Sequence, residues 1–209
     1  CAACCCCDTF AADAIPLTGP RLLSRISRQP LESRPDLFDS TGTEGKTELA
    51  LVVDGTTSMK QELVDLPLFL GEIAKLFSHD QPENLRIAVV IYRDSRSPSG
   101  NVTVVSDFTE DVAGVAEKLR SVKPESGEPY FPEGMDQGLA TALEKLKWSD
   151  GSSEVEKRIL ILGDAPPYTD EHENRKHRDE ELNRLVAKQK ARIDALLVNS
   201  GFPLSEGGE

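Results

Sequence analysis

The chain has 209 residues, 38% hydrophobic and 29% charged, enough for one ordinary domain with a buried core or such a domain with a tail. Lys plus Arg number 24 against 36 Asp plus Glu, a formal charge of −12. That balance argues against nucleic acid or an anionic membrane as main partner and suits a chain that holds cations locally or meets a basic partner.

No apolar run approaches the roughly 18 residues a membrane helix needs, so no transmembrane segment is expected. All five cysteines fall in the first seven residues, at Cys1, Cys4, Cys5, Cys6 and Cys7, and none can staple the remainder. With no initiating Met and no signal peptide in the sequence, two readings stand. One is the end of a chain that starts mid-gene or after processing. The other is a mature lipoprotein with its lipid on Cys1, which places the domain on the extracellular side; otherwise a cytoplasmic location is expected. A metal cluster on Cys1, Cys4 and Cys7 lacks its second half.

Residues 1–47 carry Pro16, Pro20, Pro30 and Pro35 with no sustained period, and read as a disordered or loosely structured leader with a short helix near 22–26. A domain is expected over 48–200, and a flexible tail over 201–209. Residues 49–53 form a short apolar run, as in a strand buried on both faces. Over 60–77, Leu63, Leu66, Phe69 or Leu70, Ile73 and Phe77 share a helical face, and Pro67 predicts a kink or a late helix start.

Residues 85–92 are a second buried strand. The turn Ser97-Pro98-Ser99-Gly100 then leads to 102–105, and so short a link predicts an antiparallel hairpin. Helices are expected at 110–122 and 133–147, a third buried strand at 158–163, a helix from the charged segment after Asp170 to about Lys190, and a last apolar run at 193–198. Strands alternating with helices give an α/β fold: a doubly wound, mostly parallel open sheet with one antiparallel edge strand. The interior strands would be 49–53, 85–92 and 159–162, with 102–105 at one edge and 193–198 on the other side.

Two buried runs end in an acid, the first at Asp54 and the third at Asp164. Parallel strands present their carboxyl ends on one edge, where ligands bind. Two carboxylates there repel unless a cation or shared proton relieves them. Taken alone, each acid is better explained as the cap of the turn or helix that follows. The run Asp54-Gly55-Thr56-Thr57-Ser58 places oxygen side chains at alternate positions directly after a strand, one carboxylate and two hydroxyls. Hard oxygen donors of this kind suit Mg²⁺ or Mn²⁺ better than zinc, although Thr56 and Ser58 also suit helix capping.

Asp54, Thr56 and Ser58 match the D-x-[ST]-x-S motif, and here the sequence resembles the von Willebrand factor A domain family with its metal-ion-dependent adhesion site. Asp164 matches the acid that family carries after its fourth strand. The segments Val53 to Met59, Tyr92-Arg93-Asp94, Phe108-Thr109, Phe131-Pro132-Glu133 and Gly163 to Pro167 resemble the subgroup found beside alpha-kinases and in some matrix proteins. The likeness runs from Glu48 to about Ser200. It implies a doubly wound fold, a divalent cation at the sheet's carboxyl edge, and a protein ligand whose carboxylate completes the metal's shell.

Two departures stand beside it. Tyr130 occupies the place of an expected third-loop Asp, with Ser126 or Glu128 open as substitutes. The family continues past 198 through another helix, an edge strand and a final helix, whereas this sequence ends at Glu209, as a reduced domain or a truncated chain.

Other motifs fall short. Ser40 to Thr47 has Ser where a phosphate loop needs Gly, and its strand follows rather than precedes. His172 and His177 are five apart, about 140° around a helix, and cannot share a metal face. They read as part of a solvated charged segment, and His79 as a loop residue. Asn101-Val102-Thr103 is a glycan acceptor only on a secretory route. No Ser or Cys has a base beside it. The reading is therefore a non-enzymatic, divalent-cation-dependent protein-binding module, with metal ligands Asp54, Thr56, Ser58 and Asp164 and a ligand face around Tyr130, Phe131 and Tyr168. The alternatives are an accessory region of a larger enzyme such as an alpha-kinase, or a degenerate metal-free scaffold.

Overall fold

The computed structural model describes residues 17–18, 45–78, 81–126, 133–150, 155–169 and 171–199, with the backbone alone at 17–18 and 197–199. The strands are β1 (Leu17–Thr18), β2 (Lys46–Asp54), β3 (Leu85–Tyr92), β4 (Val102–Thr109), β5 (Val155–Gly163) and β6 (Arg192–Asn199). The helices are α1 (Lys60–Ser78), α2 (Val112–Arg120), α3 (Met135–Lys145) and α4 (Asp179–Gln189). They form one six-stranded sheet in the order β1-β6-β5-β2-β3-β4, parallel except for the antiparallel β3–β4 pair. This is the doubly wound α/β arrangement that alternating strands and helices predict.

The apolar runs explain the two layers. Side chains alternate across a strand, so a continuous run feeds both faces. Leu49, Leu51, Val53, Ile87, Val89, Ile91, Leu160 and Leu162 join one core with α1 and α2. Ala50, Val52, Ala88, Val90, Tyr92, Ile159 and Ile161 join the other, against Leu139, Ala142 and Leu143 of α3 and Leu182 of α4. The small Ala50 and Ala88 let α3 approach closely. Gly138 continues that contact: a Cβ there would stand 2.8 Å from Tyr92 Cβ.

Several boundaries differ from the expectation. β2 begins at Lys46, and Thr47 already pairs with Leu85, so the boundary at residue 48 falls inside a strand. Leu17–Thr18, in the segment read as a leader, pairs in parallel with Val198 and Asn199 and is the outermost strand. Pairing there covers part of what would otherwise be an open sheet edge. β4 extends to Thr109, four residues beyond the apolar run, because its ladder to β3 continues through a register shift.

Neither a late start nor an interruption marks α1 at Pro67. A 3-10 turn at Thr57–Met59 leads directly into it. The missing amide costs about 3 kcal/mol in a helix interior. Leu63, Leu66, Leu70, Ile73 and Phe77 are buried along one face and outweigh it. Asp111 caps α2 by accepting from Gly114 N at 2.9 Å, and Lys190 closes α4 in the left-handed region at φ 56°. Among the described residues no helix is long and apolar enough to cross a membrane.

Because α3 meets the sheet through Gly138, Gly138→Ala is expected to force Tyr92 or the helix aside. Urea unfolding should show a loss of about 1–3 kcal/mol, as for other overpacked cores. An unchanged midpoint would place slack where the structure has contact.

Candidate functional site

Parallel pairing brings the two acids to one edge. Val53 aligns with Leu162 across β2 and β5, so both chains leave the sheet at the same level, one through Asp54 and the other through Gly163 and Asp164. Asp54 is fully buried, while Asp164 is partly exposed. The loop after Asp54 hugs the sheet: Gly55 N donates to Tyr92 O at 2.7 Å. A Cβ at Gly55 would lie 2.3 Å from Ile91 Cγ2, so only glycine fits this close approach.

The loop then folds its oxygens onto one another. Thr56 donates to Asp54 Oδ1 from both its amide, at 2.8 Å, and its hydroxyl, at 2.7 Å. Thr56 Oγ1 lies 3.0 Å from Ser58 Oγ, and Ser58 Oγ donates to Asp164 Oδ1 at 3.1 Å. All four residues predicted as ligands thus form one continuous chain of oxygens. The proton count along it is short. Three oxygen–oxygen contacts join the side chains, but two hydroxyls supply only two protons. With both carboxylates ionised, one contact sets lone pair against lone pair, which an added proton or a cation among the oxygens relieves. Asp54 Oδ2 is buried and has no hydrogen-bond partner among the described residues.

The electrostatics agree. Burial pushes the Asp54 carboxyl from 3.8 up to about 7, against the opposing hydrogen bonds from Thr56. Asp164 raises it further, by its charge and by sharing a hydrogen bond. Glu62 is raised as well, chiefly by burial and then by the charges of Asp164 and Asp65. Tyr92 is a member that residue-by-residue reading missed. Its fully buried phenol is pushed well up, by burial first and then by Asp54, Glu133 and Asp164. A Cβ at Gly163 would meet the Tyr92 hydroxyl at 2.4 Å, with Asp54 Oδ2 at 3.6 Å, so Gly163 leaves room for both groups. The signal was positional: Tyr92 ends β3 as Asp54 ends β2, and the two are in register.

Glu133 was also left out of the predicted ligand set. It is buried, its amide donates to Pro166 O at 3.0 Å, and its carbonyl accepts from Tyr168 N at 3.3 Å. That bridge ties the start of α3 to the loop carrying Asp164. It also corrects the placement of Tyr168 on the ligand face. Tyr168 is fully buried, its ring stacked 4.4 Å from that of His172, so pairing with Glu133 draws the side chain inward. Pro166, Pro167 and Thr169 are the exposed residues of that segment.

Tyr130, Phe131 and Glu128 lie outside the described residues, as does His79. Ser126 is present but reaches Thr57: its Oγ accepts from Thr57 N at 3.1 Å and lies 2.5 Å from Thr57 Oγ1. Glu125 N donates to Gly55 O at 2.9 Å, so this strip runs along the motif loop without joining its oxygen chain. Arg93 does not neutralise the acids; it donates to Thr103 Oγ1 and Lys123 O. The segment of His172 and His177 is held, not freely solvated. Asp136 Oδ2 accepts from the amides of Lys176 and His177, each at 2.9 Å. Asn101 donates its side-chain amide to Gln137 Oε1 at 3.0 Å. Among the described residues no group of three or more His, Cys, Asp or Glu is arranged to hold a metal.

The von Willebrand factor type A domain model matches residues 49–166, more than half of the 209. The chain belongs to that family. Type A domains are in general protein-interaction modules, and the match does not single out the subgroup associated with alpha-kinases. No curated protein matches the chain. Among solved structures, it is similar to the vWF domain of the type V pili tip protein Mfa5 from Porphyromonas gingivalis, at 23% identity over 59% of this chain and 39% of that one, TM-score 0.41. A structure of three N-terminal domains of the same protein aligns at 24% identity over 57% of this chain and 20% of that one, TM-score 0.42. The type A chain described here thus spans well under half the length of either.

The raised Asp54 carboxyl has a stability consequence with a defined sign. Between 3.8 and about 7 the folded chain binds more protons than the unfolded one, so stability falls as pH rises through that window. In chelator-treated protein the loss should approach about 1.4 kcal/mol per pH unit at its steepest. Asp54→Asn is expected to flatten this slope in denaturant titrations. A wild-type slope of the opposite sign would contradict the burial of an ionisable Asp54.

Proposed function

We propose that this type A domain binds a protein partner through a divalent cation, Mg²⁺ or Mn²⁺, held by Asp54, Thr56, Ser58 and Asp164. The observation that carries the reading is the proton-short oxygen chain ending at two carboxylates, with Asp54 Oδ2 buried and unpartnered. A hard dication supplies positive charge and an exchangeable coordination position for a partner's carboxylate. The chain's own residues do the rest. Asp54 and Asp164 provide the charge, Thr56 and Ser58 orient neutral oxygens, and Glu125 and Ser126 brace the loop from outside. Pro166, Pro167 and Thr169 offer exposed surface beside Asp164, and Tyr130 and Phe131 are further candidates for the ligand face. A partner with an Asp or Glu side chain fits this arrangement, since the charge of −12 would otherwise repel it. The reading assigns no catalytic residue.

A second reading, a metal-free scaffold, draws on two observations. A proton on Asp54 would complete the same chain of contacts, in keeping with its carboxyl at about 7. Ser126 is engaged with Thr57, and Tyr130 replaces the expected third-loop acid.

Thermal unfolding separates the two. A cation that binds only the folded form stabilises it by about 2.7 kcal/mol at a hundredfold excess over Kd. Millimolar Mg²⁺ or Mn²⁺ is expected to raise the melting temperature of the wild type but not of Asp54→Ala, and calorimetry should register heat for the wild type alone. No shift and no heat with either ion would leave the metal-free scaffold as the reading.

A further inference from the structure

The amino edge of the sheet, at the far end from the acids, has the opposite character. There the segment after α3, the start of β5 and the end of α4 border an open concavity of about 540 Å³. Lys147, Lys157, Lys188 and Lys190 line it together with Trp148, and among the described residues Asp150 is the one acid in its wall. In a chain of charge −12, four lysines against one aspartate is a local reversal.

Helix ends explain part of this. Lys188 and Lys190 sit at the carboxyl end of α4, the negative end of the helix dipole, a place that favours cations. That account does not extend to Lys147 and Lys157, which arrive from other elements and face the same concavity. Nor are the charges neutralised from within. Lys188 and Lys190 are exposed and have no carboxylate partner among the described residues. Lys147 Nζ is 3.6 Å from Asp107 Oδ2, but its side chain is 88% exposed, so solvent screens the pair. Lys157 is oriented by donating to Ser149 O at 2.7 Å, which leaves two ammonium protons free. Its wall is firm: Trp148 is buried, donates from Nε1 to Ala142 O at 2.8 Å, and packs edge-on against Phe108 at 4.6 Å.

We propose that this concavity is a second binding site, for a soluble anion carrying at least two phosphate groups. The volume falls within the roughly 300–1,000 Å³ of small-ligand sites. Ammonium groups act toward phosphate as compact point charges, and a phosphate monoester carries about −1.5 to −2 near neutral pH. Two such groups match the excess of four lysines over one aspartate among the described lining residues; a lone carboxylate does not. The indole is walled in by Phe108 and by Lys157, so it serves as a floor and not as a stacking platform for a base. The site is independent of the cation reading. β5 runs nine residues from Val155 to Gly163, which puts the concavity roughly 25 Å from Asp164 along the strand.

The chain carries its own reporter. Trp148 is its only tryptophan, and Lys157 Nζ lies 6.0 Å from the ring centroid. Titrating the 209-residue chain with tripolyphosphate, in chelator so that no divalent ion participates, is expected to change Trp148 emission saturably, with an affinity that falls as salt rises. Lys188→Gln combined with Lys190→Asn, the latter chosen because Asn tolerates the left-handed position, should weaken binding about tenfold while lowering the melting temperature by only a few degrees, the loss of two helix-end charges. Asp54→Asn should leave the titration unchanged. Vesicles of phosphatidylcholine doped with a bisphosphorylated lipid serve as a second arm. Emission changes with tripolyphosphate but not with vesicles support the soluble anion; a response to vesicles alone overturns it. Absence of a saturable change, or binding that survives the double substitution, would overturn the site itself.

Discussion

Parallel pairing of β2 with β5 is the constraint on which the rest depends. Both strands are buried on both faces, and their register is set by alternation. Slipping either strand by one residue would send Leu51 and Leu160 into the layer built for Val52 and Ile161. With that register held, the chain must leave the sheet after Asp54 and after Gly163 at the same level. The apposition of two acids is therefore a by-product of core packing, maintained by hydrophobic burial far larger than the repulsion it creates.

What gathers around this point is unfavourable by local criteria. A carboxyl pushed to about 7, a buried phenol and a partly satisfied run of hydroxyls share a small volume. Gly55 and Gly163 make the crowding sterically feasible by carrying no Cβ against Ile91 and Tyr92. Local rules broken inside a well-formed fold point to a place where something else is expected to bind.

The two ends of the sheet differ in sign. In a parallel α/β layer the helices run opposite to the strands, so their positive ends lie toward the strands' carboxyl edge and their negative ends toward the amino edge. The acids gather at the first and Lys147, Lys157, Lys188 and Lys190 at the second, each group complementing the nearby dipoles. The average charge of −12 conceals this separation, because composition records how many charges a chain carries and not where they meet.

Much of this was legible in the residues themselves. The runs at 49–53, 85–92 and 159–162 specify strands buried on both faces, and the 3.6-residue spacing through Phe77 specifies a helix there, though not its uninterrupted passage through Pro67, because these signals depend on neighbours a few positions apart. The oxygen sequence Asp54, Thr56, Ser58 is equally local. Other features exist only in three dimensions. The sequence does not contain the alignment of Tyr92 with Asp54, the bridge from Glu133 to the Asp164 loop, the burial of Tyr168 against His172, or the pairing of Leu17–Thr18 with β6. Each joins segments distant in the chain, and their meeting is decided by packing over the whole sheet. Tyr168 shows the difference: by composition it stands in a Pro-rich loop and reads as exposed, yet one backbone pairing with Glu133 and one stacked ring turn it into the interior. Periodicity reports which face a residue prefers within its own element; only the folded sheet determines what that face will meet.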